Sequence, residues 1–310
     1  MENKAKKSRL RGFWSGMKIN KQVYFLLLPG MAWYVIFAYI PIMGLSLAFK
    51  TYKAKLGIFG SPWVGLLNYE YVFRDPAFIA SLFRTLWINA GRFICEFPVP
   101  ILLALAINEV RIGRSKKIIQ SIFTFPHFLS WIVVSSIMIN VLSHNGLVNS
   151  FIRLWGGEAV NFLGTQGYFQ PLVYITSIWK TAGWTAIIYM ASIAGIDQEQ
   201  YEAAEIDGAS RMQRILHVTL PGIRNTAIVM LILQVGFIMT TGFEQIFNLS
   251  NPATIKVAET LDMYIYRVTF QSASDFSFSA SISLFKSLIN FLLLLGADRL
   301  AKLMGGEGLF

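Results

Sequence analysis

Charged side chains are scarce in this sequence. Of its 310 residues, 14% are charged and 55% are hydrophobic. This balance excludes an ordinary soluble domain and favours an integral membrane protein. The formal net charge of +10 does not indicate a nucleic-acid partner, because the basic residues are scattered between apolar runs and no aromatic stacking surface accompanies them.

Cysteine and histidine are nearly absent. The single cysteine, Cys95, lies in an apolar run, so an intrachain disulfide is excluded. The three histidines, His127, His144 and His217, fall in different segments without ligand spacing, so we expect no metal site. No phosphate-binding loop of the GxxxxGK[ST] type is present. We therefore expect a non-enzymatic chain that does not hydrolyse ATP itself.

Six apolar segments are each near the roughly 20 residues that a helix needs to cross a bilayer. They lie at about 22–49, 80–107, 118–142, 171–194, 225–247 and 279–300. This pattern predicts an all-α integral membrane protein with six transmembrane helices. Prolines inside the first three segments predict kinks, at Pro29, Pro41, Pro98, Pro100 and Pro126.

The basic residues predict the orientation. Lys and Arg number 16 in the N-terminal arm (1–21), the Arg111–Lys117 loop, the central loop (197–224) and the C-terminal end (Arg299 and Lys302) together, and 7 in the alternate loops. Cytoplasmic loops carry the excess of basic residues. We therefore expect both termini and the central loop in the cytoplasm, with the basic arm close to anionic membrane lipid.

The central loop is built around Gln200–Ile223. Five carboxylates precede or enter it within eleven positions: Asp197, Glu199, Glu202, Glu205 and Asp207. In a bilayer centre they would cost roughly 12 kcal/mol on insertion scales, so the loop must stand in water. Asp197 can cap a first helix that runs to Asp207, and Gly208 supplies the backbone freedom to stop it. A second helix is expected over Ala209–His217, before Leu220-Pro221 ends it.

The spacing of this loop resembles the EAA loop of ABC importer permeases. Glu202-Ala203-Ala204 is followed after three residues by Gly208, after nine more by Val218, and then by Leu220-Pro221. Val218 departs from the usual isoleucine. The flanking Tyr201, Ile206-Asp207 and Ala209 match the version found in permeases of the malto-oligosaccharide type. Further similarity runs from about residue 80 to the end.

The resemblance implies a type I ABC importer permease fold. A first helix and outer loop (22–79) would precede a transmembrane domain at 80–300 that contains the coupling loop. It also implies a bacterial plasma-membrane location and alternating access driven by a separate ATPase that binds ATP and Mg. The implied partners are a related second permease in a heterodimer, two ATPase subunits, an extracytoplasmic solute-binding protein and a saccharide substrate. The implied ATPase-coupling residues are Glu202, Ala203, Ala204, Asp207, Gly208, Leu220 and Pro221.

Polar side chains on two of the predicted spans are candidates for a sugar path. They share helix faces by spacing and look like the positions that line the sugar site in related permeases. They are Ser177, Thr181 and Trp184 on the fourth span, and Gln234, Thr241 and Gln245 on the fifth, near Glu244, which is a further candidate. The same residues could instead join helices to one another.

Arg92 and Glu96 are one helical turn apart and are expected to pair. A structural pair is one reading, and a proton or sodium relay is another. The second reading leaves open an ion-coupled secondary sugar carrier. An ABC permease for a non-sugar solute and a membrane scaffold without transport are further alternatives.

Ser210 tests the predicted orientation. With Cys95 first replaced by Ser, a Ser210→Cys variant should react with an impermeant maleimide only after the cells are permeabilised, because the central loop is cytoplasmic. Labelling from outside intact cells would contradict the prediction.

Overall fold

The computed structural model describes residues 20–110, 113–240, 242–271, 275–303 and Gly308. Within these ranges the regular structure is helical, and the extended pairing is a single isolated bridge between Lys50 and Trp63. The all-α prediction is confirmed. Residues 1–19 of the basic arm, and the tail after residue 303 apart from Gly308, lie outside the described residues.

The chain divides into two compact units, of which the first comprises residues 1–72 and 275–284. Its leading elements are α1 (Lys21–Tyr34), a π-helical turn (Val35–Tyr39), α2 (Ile40–Ile42), a 3₁₀ turn (Met43–Phe49), α3 (Gly57–Gly60) and the start of α4 (Leu67–Arg74). The first predicted span is one helical run of 29 residues. Pro29 lies inside α1 and Pro41 in the first turn of α2, and neither proline ends the helical run. The run changes from α to π helix at Val35 and from α to 3₁₀ helix at Met43, each within a few residues after a proline.

Polar side chains satisfy the backbone where this first run ends. The carbonyl oxygen of Ala48 accepts hydrogen bonds from Asn68 Nδ2 at 3.0 Å and from Ser281 Oγ at 3.0 Å. The same Asn68 amide group donates to Lys50 O at 2.9 Å. These contacts satisfy carbonyls that the end of the helix leaves without an intrahelical partner.

The second unit comprises residues 73–274 and 285–310. Its elements are α5 (Pro76–Glu96), α6 (Pro98–Glu109), α7 (Arg114–Thr124), a 3₁₀ turn (Phe125–Phe128), α8 (Trp131–Leu142), α9 (Leu147–Leu154), α10 (Gln166–Ala194), α11 (Gln198–Ile206), α12 (Arg211–Arg214), a π turn (Ile215–Thr219), α13 (Leu220–Gly222), α14 (Arg224–Gly236), α15 (Phe243–Leu249), α16 (Ile255–Ala258), α17 (Leu261–Tyr266), a π turn (Arg267–Gln271) and α18 (Phe276–Leu303), whose first turns belong to the first unit.

Asp75 caps α5 through Ala77 N at 2.8 Å and accepts a hydrogen bond from the Tyr264 hydroxyl. Burial, and then this bond, raise the pKa of Tyr264, which keeps its proton at neutral pH.

Among the described residues, length and apolar composition support four or five of the six predicted spans. In the described part of the chain, four helical runs are long and apolar enough to cross a membrane: residues 21–49, 76–109, 131–154 and 276–303. A fifth is added if Arg211–Gly222 and Arg224–Gly236, which meet at 59°, form one span. The 29-residue helix α10 is long enough, but Lys180 and its hydroxyl and indole side chains make it less apolar. Six transmembrane helices therefore remain a prediction.

Two predicted spans are not continuous helices. The third breaks at the 3₁₀ turn that contains Pro126, and α8 restarts with Ser130 as its N-cap. The kink predicted at Pro126 is confirmed. The prediction of one helix over the fifth span, 225–247, is wrong: α14 ends at Gly236, and α15 starts after Gly242, whose φ is +98°. A Cβ at Gly242 would lie 2.2 Å from Arg92 Nη1, so the buried guanidinium sits against the break.

Helix α10 lies at the centre of the second unit's packing. Its residues Phe169 and Val173 enter one apolar core with Ile88 and Ile246. Farther along, its residues Ala186, Tyr189 and Ile193 enter another core with Leu105 of α6 and with Ile223 at the end of the central loop. The end of the central loop is thus packed directly against α10.

Gly183 allows α10 to pack closely against α7. A Cβ there would lie 2.0 Å from the backbone oxygen of Phe123, which cannot swing away as a side-chain tip could. We expect Gly183→Ala to lower the free energy of unfolding by about 1–3 kcal/mol, the usual cost of overpacking. Thermal unfolding in detergent measures it.

Gly167→Ala is the matched control, because it lies in the same helix and an added Cβ meets nothing within 4 Å. Equal unfolding temperatures for the two variants would show that the approach of α7 to α10 is not close enough to matter.

Candidate functional site

The central loop folds as an elbow of two helical arms. The Asp197 side chain accepts a hydrogen bond from Glu199 N at 3.0 Å and caps the first arm, α11. Gly208 follows with φ +75°, in the left-handed region that glycine tolerates. Ser210 and Gln213 form a reciprocal capping box at the start of the second arm. The predicted cap at Asp197 and the glycine turn are confirmed.

The second arm is longer than expected. We predicted that it stops at His217, but helical structure continues through the π turn Ile215–Thr219 and α13 to Gly222. Pro221 lies in the first turn of α13, where a missing N–H breaks no bond of its own helix. The wider π turn before it relieves the clash of the proline ring with the preceding helix. Leu220-Pro221 therefore lies within the arm.

Two contacts join the arms across Gly208. The hydroxyl of Tyr201 lies 3.0 Å from Thr219 Oγ1, and Thr219 is buried. Glu205 forms an ion pair with Arg214 at 3.4 Å, but the Glu205 side chain is 72% exposed. Water screens such a pair, so the Tyr201–Thr219 bond is the stronger constraint on the angle between the arms.

The elbow is also fixed to the helices on both sides of it. Ser192 Oγ of α10 lies 2.8 Å from Thr226 Oγ1 of α14. At Gly222, a Cβ would lie 2.5 Å from Ile196 Cδ1, so Gly222 packs closely against the Ile196 side chain. Ile223 is buried in the core formed by α10. The elbow is therefore in direct contact with the adjoining ends of α10 and α14.

The outer surface of the elbow carries the predicted coupling residues. Glu202, Ala203, Asp207 and Gly208 are exposed, and Ala204 is half-buried. Sequence reasoning missed three apolar side chains on this surface: Ile206 (86% exposed), Met212 (63%) and Leu216 (50%). Apolar residues within an acidic, water-exposed run were the available signal. An exposed apolar patch of this kind is typical of a protein-binding surface.

Arg92 joins three helices inside the second unit. Its Nε donates to Glu96 Oε1 at 2.9 Å, which confirms the predicted pair. Its Nη2 donates to Ser177 Oγ at 3.0 Å and to Gln245 Oε1 at 2.6 Å. Both of these path candidates are buried, and Gln245 also donates to Val173 O at 2.7 Å. In this conformation Ser177 and Gln245 serve as partners of Arg92.

Thr181 and Gln234 come together at a cavity of about 230 Å³. Its polar lining also includes Glu96 and Thr185, and Tyr189 and Phe237 contribute aromatic surface. Thr185 and Tyr189 are not among the predicted path residues, although both follow Thr181 at helical spacing. The cavity offers hydroxyl, amide and carboxylate groups between apolar walls, the arrangement of a site that binds a small polar molecule.

The remaining path candidates lie elsewhere. Trp184 is 44% exposed and stacks on His127, with ring centroids 4.6 Å apart and planes 5° apart. Glu244 is exposed in the first turn of α15. Thr241 lies outside the described residues.

A polytopic helical chain with a water-exposed elbow defines a membrane permease subunit, and comparison with known proteins specifies the family. Residues 97–306 match the family model of the binding-protein-dependent transport system inner membrane component. The chain belongs to this family, and it is a permease component of ABC transport.

Individual relatives agree with this assignment. The polygalacturonan/rhamnogalacturonan transport system permease protein YteP of Bacillus subtilis (strain 168) is 41% identical over 94% of this chain and 91% of its own. A subunit of the bacterial alginate ABC transporter, crystallised in complex with an alginate pentasaccharide-bound periplasmic protein, superposes with a TM-score of 0.86 at 33% identity, over 96% of this chain and 99% of its own. A second structure, of a bacterial ABC transporter involved in the import of the acidic polysaccharide alginate, also gives 0.86, at 34% identity over 94% and 98%. The ABC importer permease fold is thus confirmed.

Proposed function

We propose that this chain translocates a saccharide by alternating access, driven by a separate ATPase that docks on the elbow. One observation carries the proposal. The two helices fixed to the elbow, α10 and α14, are also the helices that bring Thr181 and Gln234 to the cavity. A displacement of the elbow therefore reaches the cavity walls through two rigid helices.

The cavity and the relatives both support a saccharide. Hydroxyl and amide side chains beside aromatic rings match the alternating hydroxyl groups and apolar ring faces of a sugar. YteP is named for polygalacturonan and rhamnogalacturonan transport, and the structural neighbours carry alginate. We extend that substrate class to this chain, with Thr181, Trp184 and Gln234 as the residues that contact the sugar.

The proposed assembly contains a second permease and two ATPase subunits. One elbow offers a dock for one ATPase, whereas ABC motors work as pairs. The partners would be a related permease, an outer solute-binding protein, and ATPases that bind ATP and Mg. Both termini and the elbow would face the cytoplasm of a bacterial cell. A purified complex with two copies of this chain and no second permease would contradict the heterodimer.

Membership of the family argues against the ion-coupled secondary carrier, which the Arg92–Glu96 pair had left open. That pair also has a structural role, because Arg92 joins α5, α10 and α15. A permease for a non-sugar solute is the alternative that transport measurements decide.

Coupling is tested at Gly208 and Ala204. Gly208→Val puts a β-branched residue at φ +75°, which costs about 1–2 kcal/mol, and Ala204→Trp enlarges the docking face. We expect each variant to insert and to co-purify with the second permease. Transport and binding-protein-stimulated ATP hydrolysis should both fall about tenfold in reconstituted vesicles.

Gly156→Val is the control, because Gly156 has φ +78° and lies in a predicted outer loop, where a Cβ meets nothing within 4 Å. It should keep ATP hydrolysis coupled to transport. If Gly208→Val and Ala204→Trp behave like the parent, the elbow is not the coupling element.

The sugar path is tested at Trp184 and Gln234, with trigalacturonate as the probe. Trp184→Ala removes an exposed aromatic face and Gln234→Ala removes a hydrogen-bonding group, each worth about 0.5–1.5 kcal/mol. We expect uptake to fall roughly two- to tenfold in each variant at equal expression. Trp179→Ala is the matched control, since Trp179 is 41% exposed and lies on the opposite side of α10 from Thr181.

Unchanged uptake in both variants would show that Trp184 and Gln234 do not contact the sugar and serve only as contacts between helices. Import of another solute by the parent complex, with no uptake of saccharide, would favour the non-sugar alternative.

A further inference from the structure

Lys180 is a buried cation in the middle of α10. The residue is 8% exposed, and it stands midway along a helix of 29 residues. A lysine at the centre of a membrane helix costs about 2.5–3.5 kcal/mol on insertion scales. Such a group normally faces a protein partner or a water-filled path, and it is a functional candidate for that reason.

The ammonium group lacks a carboxylate partner. Its Nζ donates to His127 O at 2.7 Å and lies 5.4 Å from the centre of the Trp131 ring. Among the described residues, no acidic side chain comes within 4 Å of it, although the exposed Glu244 acts on it electrostatically. By contrast, two other cations of the long helices have acidic partners: Arg92 of α5 pairs with Glu96, and Lys286 of α18 pairs with Asp262. An ammonium has three N–H donors, so Lys180 retains two beyond the bond to His127.

Two residues that pack against this part of α10 have polar atoms without hydrogen-bond partners among the described residues. His127 Nδ1 and Thr124 Oγ1 are buried without a hydrogen-bond partner in the described chain. Thr124 packs against Gly183, one turn from Lys180. Trp184 covers His127 with one face of its ring and is 44% exposed. Lys180, with two unused donors, thus contacts a residue whose buried ring nitrogen has no partner in the described part of the chain, beside an exposed aromatic surface.

Lys180 also continues the polar stripe of α10. An α-helix turns about 100° per residue, so five side chains of α10 share a stripe about 140° wide. Going around the helix from one edge of the stripe to the other, they are Lys180, Trp184, Ser177, Thr181 and Thr185. Thr181 and Thr185 line the cavity, and Lys180 stands at the other edge of the stripe. One helix face therefore presents a cation, an aromatic ring and hydroxyl groups in sequence.

We propose that Lys180 binds the carboxylate of an acidic saccharide during translocation and so makes the permease select uronate-containing oligosaccharides over neutral ones. This inference rests on the proposed saccharide import. A carboxylate supplies the counter-charge and the acceptors that Lys180 and His127 lack. The sugar ring would stack on Trp184, the adjacent member of the stripe.

The test compares uptake of trigalacturonate with uptake of its methyl ester, which has the same length and no charge. The complete complex, with its solute-binding protein, is reconstituted in vesicles. We expect Lys180→Gln and Lys180→Met to lower the ratio of acid to ester uptake at least tenfold, and Lys180→Arg to preserve it. Tenfold corresponds to about 1.4 kcal/mol, near the low end for a hydrogen bond to a charged group. The preference of the binding protein is common to all variants and cancels.

Lys286→Gln is the matched control, because it removes a lysine that already has an acidic partner. It should leave the ratio unchanged. Equal losses of acid and ester uptake in Lys180→Gln, an unchanged ratio, or failure of both Lys180→Gln and Lys180→Met to accumulate would overturn the proposal. Loss of the second permease from Lys180→Gln but not from Lys180→Arg would place the counter-charge on that partner and overturn it also. A parent complex that takes up neither probe would refute saccharide import itself, which is a separate result.

Discussion

The second unit depends on the burial of the Arg92 guanidinium between three helices. A buried charge needs partners: Glu96, Ser177 and Gln245 supply them for Nε and Nη2, while Nη1 has no hydrogen-bond partner among the described residues. The same group excludes a side chain at Gly242, next to the break between α14 and α15. Removing Glu96 would leave an uncompensated buried charge, which costs about 3–5 kcal/mol.

This interaction explains where sequence reasoning succeeds and where it fails. The cap at Asp197 and the turn at Gly208 are local features, so residue types alone predicted them. The break near Gly242 involves a contact between distant parts of the chain, because the guanidinium that packs against Gly242 belongs to Arg92, about 150 residues earlier. Hydropathy treats 225–247 as one apolar run and does not detect such a contact. The predicted number of spans also depends on α10, whose lysine and hydroxyl side chains make it polar for a membrane helix.

The candidate path shows the same limit at the level of single residues. Helical spacing correctly placed Ser177 and Thr181 on one stripe of α10, but it could not show what each of them faces. Ser177 is bonded to Arg92, whereas Thr181 borders the cavity with Gln234. Spacing defines a face of a helix, and only packing shows whether that face meets another helix or an open space.

The π turn at Ile215–Thr219 has a consequence for how the elbow is oriented. A π turn holds one residue more than an α turn, so it offsets the rotational phase of everything that follows it. Loss of one residue there would rotate α12 about its axis by about 100° relative to α14. The number of residues between Gly208 and Pro221 therefore fixes how the first arm of the elbow is oriented when Thr181 and Gln234 border the cavity.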